Sequence, residues 1–165
     1  MPEPASPDDL SATYRRYLSS LVLFHLAAAD RIGLTGSDYQ ADSILDLDGP
    51  LTSGELARRL GLSTGATTRL IDRLVAAGHA RRVADPEDRR RVLVAHSGET
   101  PAELTRILAL VREPIGELIG SFSPDQLSAL GRYFDGADRA YRQALEQIRT
   151  ERGQGGEHGH GPAQD

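Results

Sequence analysis

A chain of 165 residues with 39% apolar content can bury one ordinary core. It has no cysteine, which excludes disulfides, thiolate metal sites and thiol redox sensing. No apolar run approaches the ~18–20 residues of a membrane span, and the start of the chain lacks the basic and apolar regions of an export signal, so the expected location is the cytoplasm, with no membrane partner. The net charge of −5 argues against a nucleic-acid partner until its distribution is read. Thr52 to Ser97 holds nine arginines and five acids, a local charge of +4, while the remainder carries −9. A polyanion responds to the face it touches rather than to the sum. All nineteen basic residues are arginine; coding bias accounts for that, although the guanidinium fork also suits phosphate and guanine.

Residues 1–8 are rich in Pro, Asp and Glu and read as disordered, and a Gly-rich tail is expected over 151–165. Between them, 9–150 reads as a single domain. Leu10, Tyr14, Tyr17, Leu21, Phe24 and Ala28 alternate in steps of four and three, which predicts a helix from about Leu10 to Ala29 with one apolar stripe, ended by Gly33. A second helix, about Ser37 to Leu47, closes at Gly49-Pro50. Thr52 with Glu55 three residues on is a capping-box pattern for a short helix ending at Gly61. Ser63 caps the next helix, which stops at Gly78, and the two helices across Gly61-Leu62-Ser63 make a helix-turn-helix. Two β runs, Ala80–Ala84 and Arg91–Ala95, flank an exposed tip with three consecutive arginines. Leu104, Leu108, Val111, Ile115, Leu118 and Phe122 form another stripe, with Pro114 expected to kink or split its helix. Ser123 and Pro124 open a final helix striped by Leu127, Leu130, Phe134, Ala137, Tyr141, Ala144 and Ile148.

The expected fold is therefore mainly α: a winged helix-turn-helix at about 51–97 with a small β-hairpin wing, flanked by N- and C-terminal dimerisation helices at about 10–47 and 102–149. Three stripes exceed what one small module can cover; they pack together within the chain or join two chains. Homodimerisation is favoured, because a helix-turn-helix needs a second copy to read a long site.

Three segments occur in order: LTSGELARRLGLS (51–63), TRLIDRLVAAG (68–78) and DPEDRRRVLV (85–94). Together they strongly resemble the MarR family of bacterial transcriptional regulators. The resemblance is closest from Leu51 to Val94; the flanking helices match in pattern more than in residues. It implies a dimeric, sequence-specific DNA-binding regulator of a pseudo-palindromic operator in double-stranded DNA, most commonly a repressor, without a cofactor.

The residues assign roles within that frame. Ala66, Leu70, Ile71 and Leu74 are expected in the core, leaving Ser63, Thr64, Gly65, Thr67, Thr68, Arg69 and Arg73 toward DNA. The recognition helix enters a major groove about 12 Å wide with its N-terminal residues at the base edges. Thr67 and Thr68 suit a thymine methyl or a hydrogen bond, Gly65 allows close approach, Arg69 suits guanine, and Arg73, one turn on, suits phosphate. The alternative for both arginines is a solvated face balanced by Asp72. The resemblance places the Arg69 position on DNA and pairs Asp88 with Arg90, the arginine entering the minor groove; Arg89 and Arg91 would flank phosphates. A soluble hairpin tip is the alternative. Ser53 either holds a phosphate through its hydroxyl and backbone N–H or merely starts its helix.

The resemblance also implies a small aromatic or phenolic effector bound between dimer helices and DNA lobe. By position Tyr14, Tyr17, His25, Arg31, Tyr39 and Asp42 could line such a pocket, although Tyr14 and Tyr17 also suit a core and His25 an interface hydrogen bond. Asp38, Asp42 and Asp46 share one helical face, as a solvated acidic surface or a cation or amine site. Asp42 and His96 both depart from the family pattern, which has apolar residues there; the His96 ring either loosens the strand end or finds a polar partner. An enzyme is not expected, since there is no P-loop, nucleophile elbow, zinc motif or spaced His/Asp/Ser set. A winged-helix protein-interaction module without sequence-specific DNA binding is the remaining alternative, and the basic stripe argues against it.

Overall fold

The computed structural model describes residues 7–155. The expectations for 1–6 and 156–165 lie outside the described residues. The elements in chain order are α1 (Pro7–Arg31), α2 (Gly36–Asp48), β1 (Leu51–Thr52), α3 (Ser53–Leu60), α4 (Thr64–Ala76), β2 (Ala80–Ala84), β3 (Val92–His96), α5 (Ala102–Gly120) and α6 (Pro124–Gly155). They form two compact units, one ending at Leu110 and the other beginning at Val111. No single helix among the described residues is long and apolar enough to cross a membrane.

The first unit is built on capped short helices. Thr35 opens α2 and Thr52 opens α3, each accepting the N3 backbone N–H while an acid, Asp38 or Glu55, accepts from the cap's own N–H. Such reciprocal bonds satisfy backbone donors that a helix start leaves orphaned. Gly61 ends α3 in the left-handed region (φ 68°), a geometry glycine adopts without steric cost. The core gathers one face from every element: Leu45 from α2, Leu56 from α3, Leu70, Ile71 and Leu74 from α4 and Val94 from β3 are its largest fully buried apolar side chains. Each contributes about 1.5–3 kcal/mol by burial. The last turn of α1 joins through Ala28 and Ala29, and the first turns of α5 through Leu104 and Ile107.

The hairpin expected from sequence is present, with Ala80 opposite His96 and Ala84 opposite Val92. A third strand, β1, pairs antiparallel with β3, Leu51 opposite Val94, giving the order β1-β3-β2. Two residues carry no period, so β1 has no signature in sequence.

In the second unit, α6 starts on the Ser123 cap, whose hydroxyl accepts from the Gln126 N–H at 3.3 Å, with Pro124 at the first helical position. The helix continues through Gly155, beyond the expected end. Helix α5 runs unbroken across Pro114, so of the expected kink or split the split does not occur. The apolar stripes lie open: Ile115 and Leu118 on α5, and Phe134, Tyr141 and Ile148 on α6, are all exposed. In the first unit, Leu10, Tyr17 and Leu21 of α1 are likewise exposed.

Candidate nucleic-acid interface

Helix α4 sorts its residues by face. Thr67, Leu70, Ile71 and Leu74 are buried; Thr64, Gly65, Thr68 and Arg69 are exposed. Ser63 caps the helix by accepting the Ala66 N–H at 3.3 Å. The expectation for Thr67 is corrected: it is only 1% exposed, and its hydroxyl donates to the Ser63 carbonyl at 3.0 Å. That internal bond lets a hydroxyl occupy a core position one turn before Ile71. Ala66, expected inside, is half-buried at the edge of the same face.

The arginines divide into those spent within the fold and those left open. Arg73 is spent. Its Nη2 and Nε donate to the two carboxylate oxygens of Asp38 at 2.6 and 3.1 Å, tying α4 to α2. Burial alone would raise the pKa of Asp38, but hydrogen bonds from Arg73 and Thr35 and the guanidinium charge outweigh it and hold the carboxyl below its ordinary range. Asp72 does not balance Arg69 or Arg73; it accepts from Arg82 at 2.6 Å. Arg69 has no ion-pair or hydrogen-bond partner among the described residues.

The wing tip is organised by two aspartates. Asp85 is buried, accepts the Glu87 N–H at 2.9 Å, and stands 3.5 Å from Arg91 Nε. Asp88 accepts the backbone N–H of Arg90 at 3.0 Å, so its hold on Arg90 runs through the main chain rather than through the guanidinium. Arg91 is turned toward the body of the wing, while the Arg89 and Arg90 guanidinium groups are exposed and have no ion-pair partner among the described residues. Ser53 is exposed at the first position of α3. The lobe thus presents a helix face with one open arginine, next in the chain to a hairpin with three more, Arg81 on β2 and Arg89 and Arg90 at its tip.

The family model for the MarR family matches residues 32–91. An uncharacterised HTH-type transcriptional regulator of Bacillus subtilis, YcgE, is 33% identical over 136 residues, which cover 82% of this chain and 88% of that protein. The chain belongs to the MarR family. It is a DNA-binding transcriptional regulator, not an enzyme. Solved structures agree in fold. RV1404 from Mycobacterium tuberculosis superposes with a TM-score of 0.60 at 23% identity, over 85% of this MarR-family chain and 97% of its own. A MarR family transcriptional regulator from Silicibacter pomeroyi gives 0.58 at 23% identity, over 86% and 97%.

Of the expected effector-pocket residues in this MarR-family chain, two come together. A cavity of about 460 Å³ between α1, α2 and the α3 end is lined by His25, Tyr39 and Gln40 among the apolar side chains of Leu26, Leu60 and Leu62. His25 Nδ1 and the Tyr39 hydroxyl are hydrogen-bonded at 3.0 Å, and burial lowers the His25 pKa, which favours the uncharged ring. Tyr14, Tyr17, Arg31 and Asp42 do not line this cavity. Arg31 reaches Glu103 at 3.3 Å. Asp42 points instead toward His79 and His96, at 3.7 and 3.5 Å. The acidic face expected of α2 is therefore neither a solvated surface nor one shared site: Asp38 and Asp42 are buried on different partners, and only Asp46 is exposed. Among the described residues no group of three or more His, Asp or Glu side chains is arranged to hold a metal ion. Sequence reasoning missed His79, whose only signal was its place at the turn between α4 and β2.

Proposed function

We propose that this regulator works in the cytoplasm as a homodimeric, sequence-specific repressor, with α4 in the major groove and the wing in the adjacent minor groove. The observation that carries this reading is the division of the arginines: Arg73, Arg82 and Arg91 are paired within the fold, whereas Arg69 on α4, Arg81 on β2 and Arg89 and Arg90 at the wing tip stand open among the described residues. A protein pays for unpaired like charges unless an anion compensates them. Arg69 then reads guanine, Thr64, Gly65 and Thr68 approach bases or backbone, and Arg90 occupies the narrow minor groove with Arg89 at phosphate. Arg73 acts by fixing α4 on α2. The exposed stripes of α1 and α6 supply the apolar surface for a second copy, and repression is the commoner mode in the family.

The effector of this reading enters the cavity at His25 and Tyr39. A neutral imidazole hydrogen-bonded to a phenol offers a polar handle in an apolar pocket, so a phenolic ligand fits better than a carboxylate that needs a cation.

The test is selection of bound duplexes from random DNA. The expected product is a palindrome with half-sites about one helical turn apart. On that duplex Arg69→Ala and Arg90→Ala each lower affinity by roughly tenfold or more, and Arg69→Ala alone changes the preferred base at its position. Wild-type affinity in either variant removes that residue from the interface.

A further inference from the structure

Two buried carboxylates on α2 take no part in the proposed DNA contacts. Asp38 is 2% exposed and Asp42 7% exposed, and they stand one helical turn apart on the same face. Each meets a different DNA-facing element. Asp38 receives the forked donors of Arg73, in the second half of α4. Asp42 meets the root of the wing: its Oδ2 lies 3.7 Å from His79 Nδ1, and its Oδ1 lies 3.5 Å from His96 Nε2.

His79 and His96 stand where α4 gives way to the hairpin. The His79 N–H donates to the Leu74 carbonyl of α4 at 2.9 Å, and the His79 carbonyl accepts from the Ser97 N–H at 2.9 Å, just past β3. His96 is the last residue of β3, opposite Ala80, the first of β2. Its Nδ1 accepts from the Gly98 N–H at 3.1 Å, so a neutral ring carries its hydrogen on Nε2, toward Asp42. From this root the ladder runs roughly 13 Å to Ala84, with the tip arginines beyond it. A small tilt at the root is therefore a larger displacement at the tip.

The two contacts differ in how they are satisfied. At Asp38 burial alone would raise the pKa, but hydrogen bonds from Arg73 and Thr35 outweigh it. At Asp42 burial is the largest influence and raises the pKa against the opposing charges of His96 and His79. Asp42 Oδ1 is buried without a hydrogen-bond partner. A carboxylate so placed is costly, and the two imidazoles bring polar atoms to it. Drawing the wing root away from α2 removes those atoms and raises the cost, so the cluster favours one position of the root. The ion pair that joins α4 to the wing directly, Arg82 with Asp72, is weaker: its side chains are 45% and 58% exposed, and such pairs contribute little.

We propose that α2 is the scaffold that sets the recognition helix and the wing relative to one another: Asp38 positions α4 through Arg73, and Asp42 positions the wing root through His79 and His96. The proposal rests on the reading that α4 enters the major groove and the wing the minor groove. Both aspartates are positioning residues, since both are buried within the fold and act on DNA through the side chains they hold. Asp38 thereby governs how Arg69 meets a base, and Asp42 governs where Arg90 falls.

The experiment uses the full chain with Asp38→Asn and Asp42→Leu, read by amide hydrogen exchange without DNA and by affinity for the selected duplex. Asp38→Asn should speed exchange in α4 more than in the wing, and Asp42→Leu should do the opposite. Each should weaken the duplex roughly threefold or more. The loss from Asp42→Leu should be non-additive with Arg90→Ala and additive with Arg69→Ala. That from Asp38→Asn should be non-additive with Arg69→Ala and should loosen the preferred base at that position. Asp42→Asn keeps an acceptor oxygen for His96 and should bind within about twofold of wild type. Exchange that rises evenly over α4 and the wing in either variant, or does not rise, overturns the proposal. So does tighter binding by Asp38→Asn, because the freed Arg73 would then be a phosphate contact. Should Asp42→Leu fail to fold, His96→Leu takes its place; should Asp38→Asn fail, Arg73→Leu, at a half-exposed position, takes its place. Wild-type affinity in both Arg69→Ala and Arg90→Ala removes the groove reading instead, and the exchange pattern, measured without DNA, still decides the scaffold.

Discussion

The lobe from Leu51 to Ser97 and the helix α6 spend their apolar residues in opposite ways. In the lobe, Leu56, Leu70, Leu74 and Val94 are 1% exposed or less, helix starts are capped, and most charged groups have partners. In α6, Phe134, Tyr141 and Ile148 are 50%, 51% and 58% exposed although they repeat at helical spacing on one face. The lobe closes its core together with α2, the last turn of α1 and the first turns of α5. The helix carries a core-like pattern that stays exposed among the described residues, and such a stripe is characteristic of a surface that another copy covers.

The contrast is sharpest where one residue of each kind is removed. Leu74→Ala, at 0% exposure, should cost about 2–5 kcal/mol in chemical unfolding, and the cost should be the same at every protein concentration. A loss well below that range would mean the lobe relaxes into the cavity and is less tightly closed than its burial implies.

A change on α6 should act through assembly instead. Phe134→Glu puts a charge on the open stripe and leaves the core residues of the lobe untouched. Sedimentation should show a shift from dimer to monomer, unfolding should lose its concentration dependence, and affinity for a palindromic duplex should fall roughly tenfold or more as the second half-site is lost. A monomeric wild type, or an unchanged dimer in the variant, would break the comparison by showing that α6 does not hold the partner.

The sequence made the lobe readable because its signals are local. Thr52 with Glu55, Gly61, Ser63 and the Gly78 turn each act over a few residues, and each is where the pattern placed it. What stayed hidden depends on contacts across long separations. Asp38 and Asp42 were visible as one helical face, but their partners, Arg73, His79 and His96, lie 35 or more residues away. The two departures at Asp42 and His96 were legible one at a time; that they meet was not, and of the two outcomes open to His96 the structure selects the polar partner. The resemblance pairs Asp88 with Arg90 without saying through which atoms, and the short loop makes the contact through the Arg90 main-chain N–H.

Thr67 and Thr68 carry the comparison down to neighbouring residues, one facing the closed lobe and one facing outward. Sequence alone gave them the same role, because threonine is at home on either side of a helix. The buried position follows from phase: Thr67, Leu70, Ile71 and Leu74 are spaced i, i+3, i+4 and i+7, which is a single face. Thr68 is exposed and returns its hydroxyl to the Thr64 carbonyl at 3.0 Å, a bond it can exchange for one to DNA. Thr67→Val should therefore change stability by about 1 kcal/mol or less, since the hydroxyl lost is replaced by a methyl and the Ser63 carbonyl keeps the Thr67 N–H at 2.9 Å. Its DNA affinity should match wild type. Thr68→Val should do the reverse, leaving the melting midpoint in place while weakening the selected duplex by roughly threefold or more. Equal DNA effects from the two substitutions would mean that α4 meets the groove with a different face, and would move Arg69 off the bases along with Thr68.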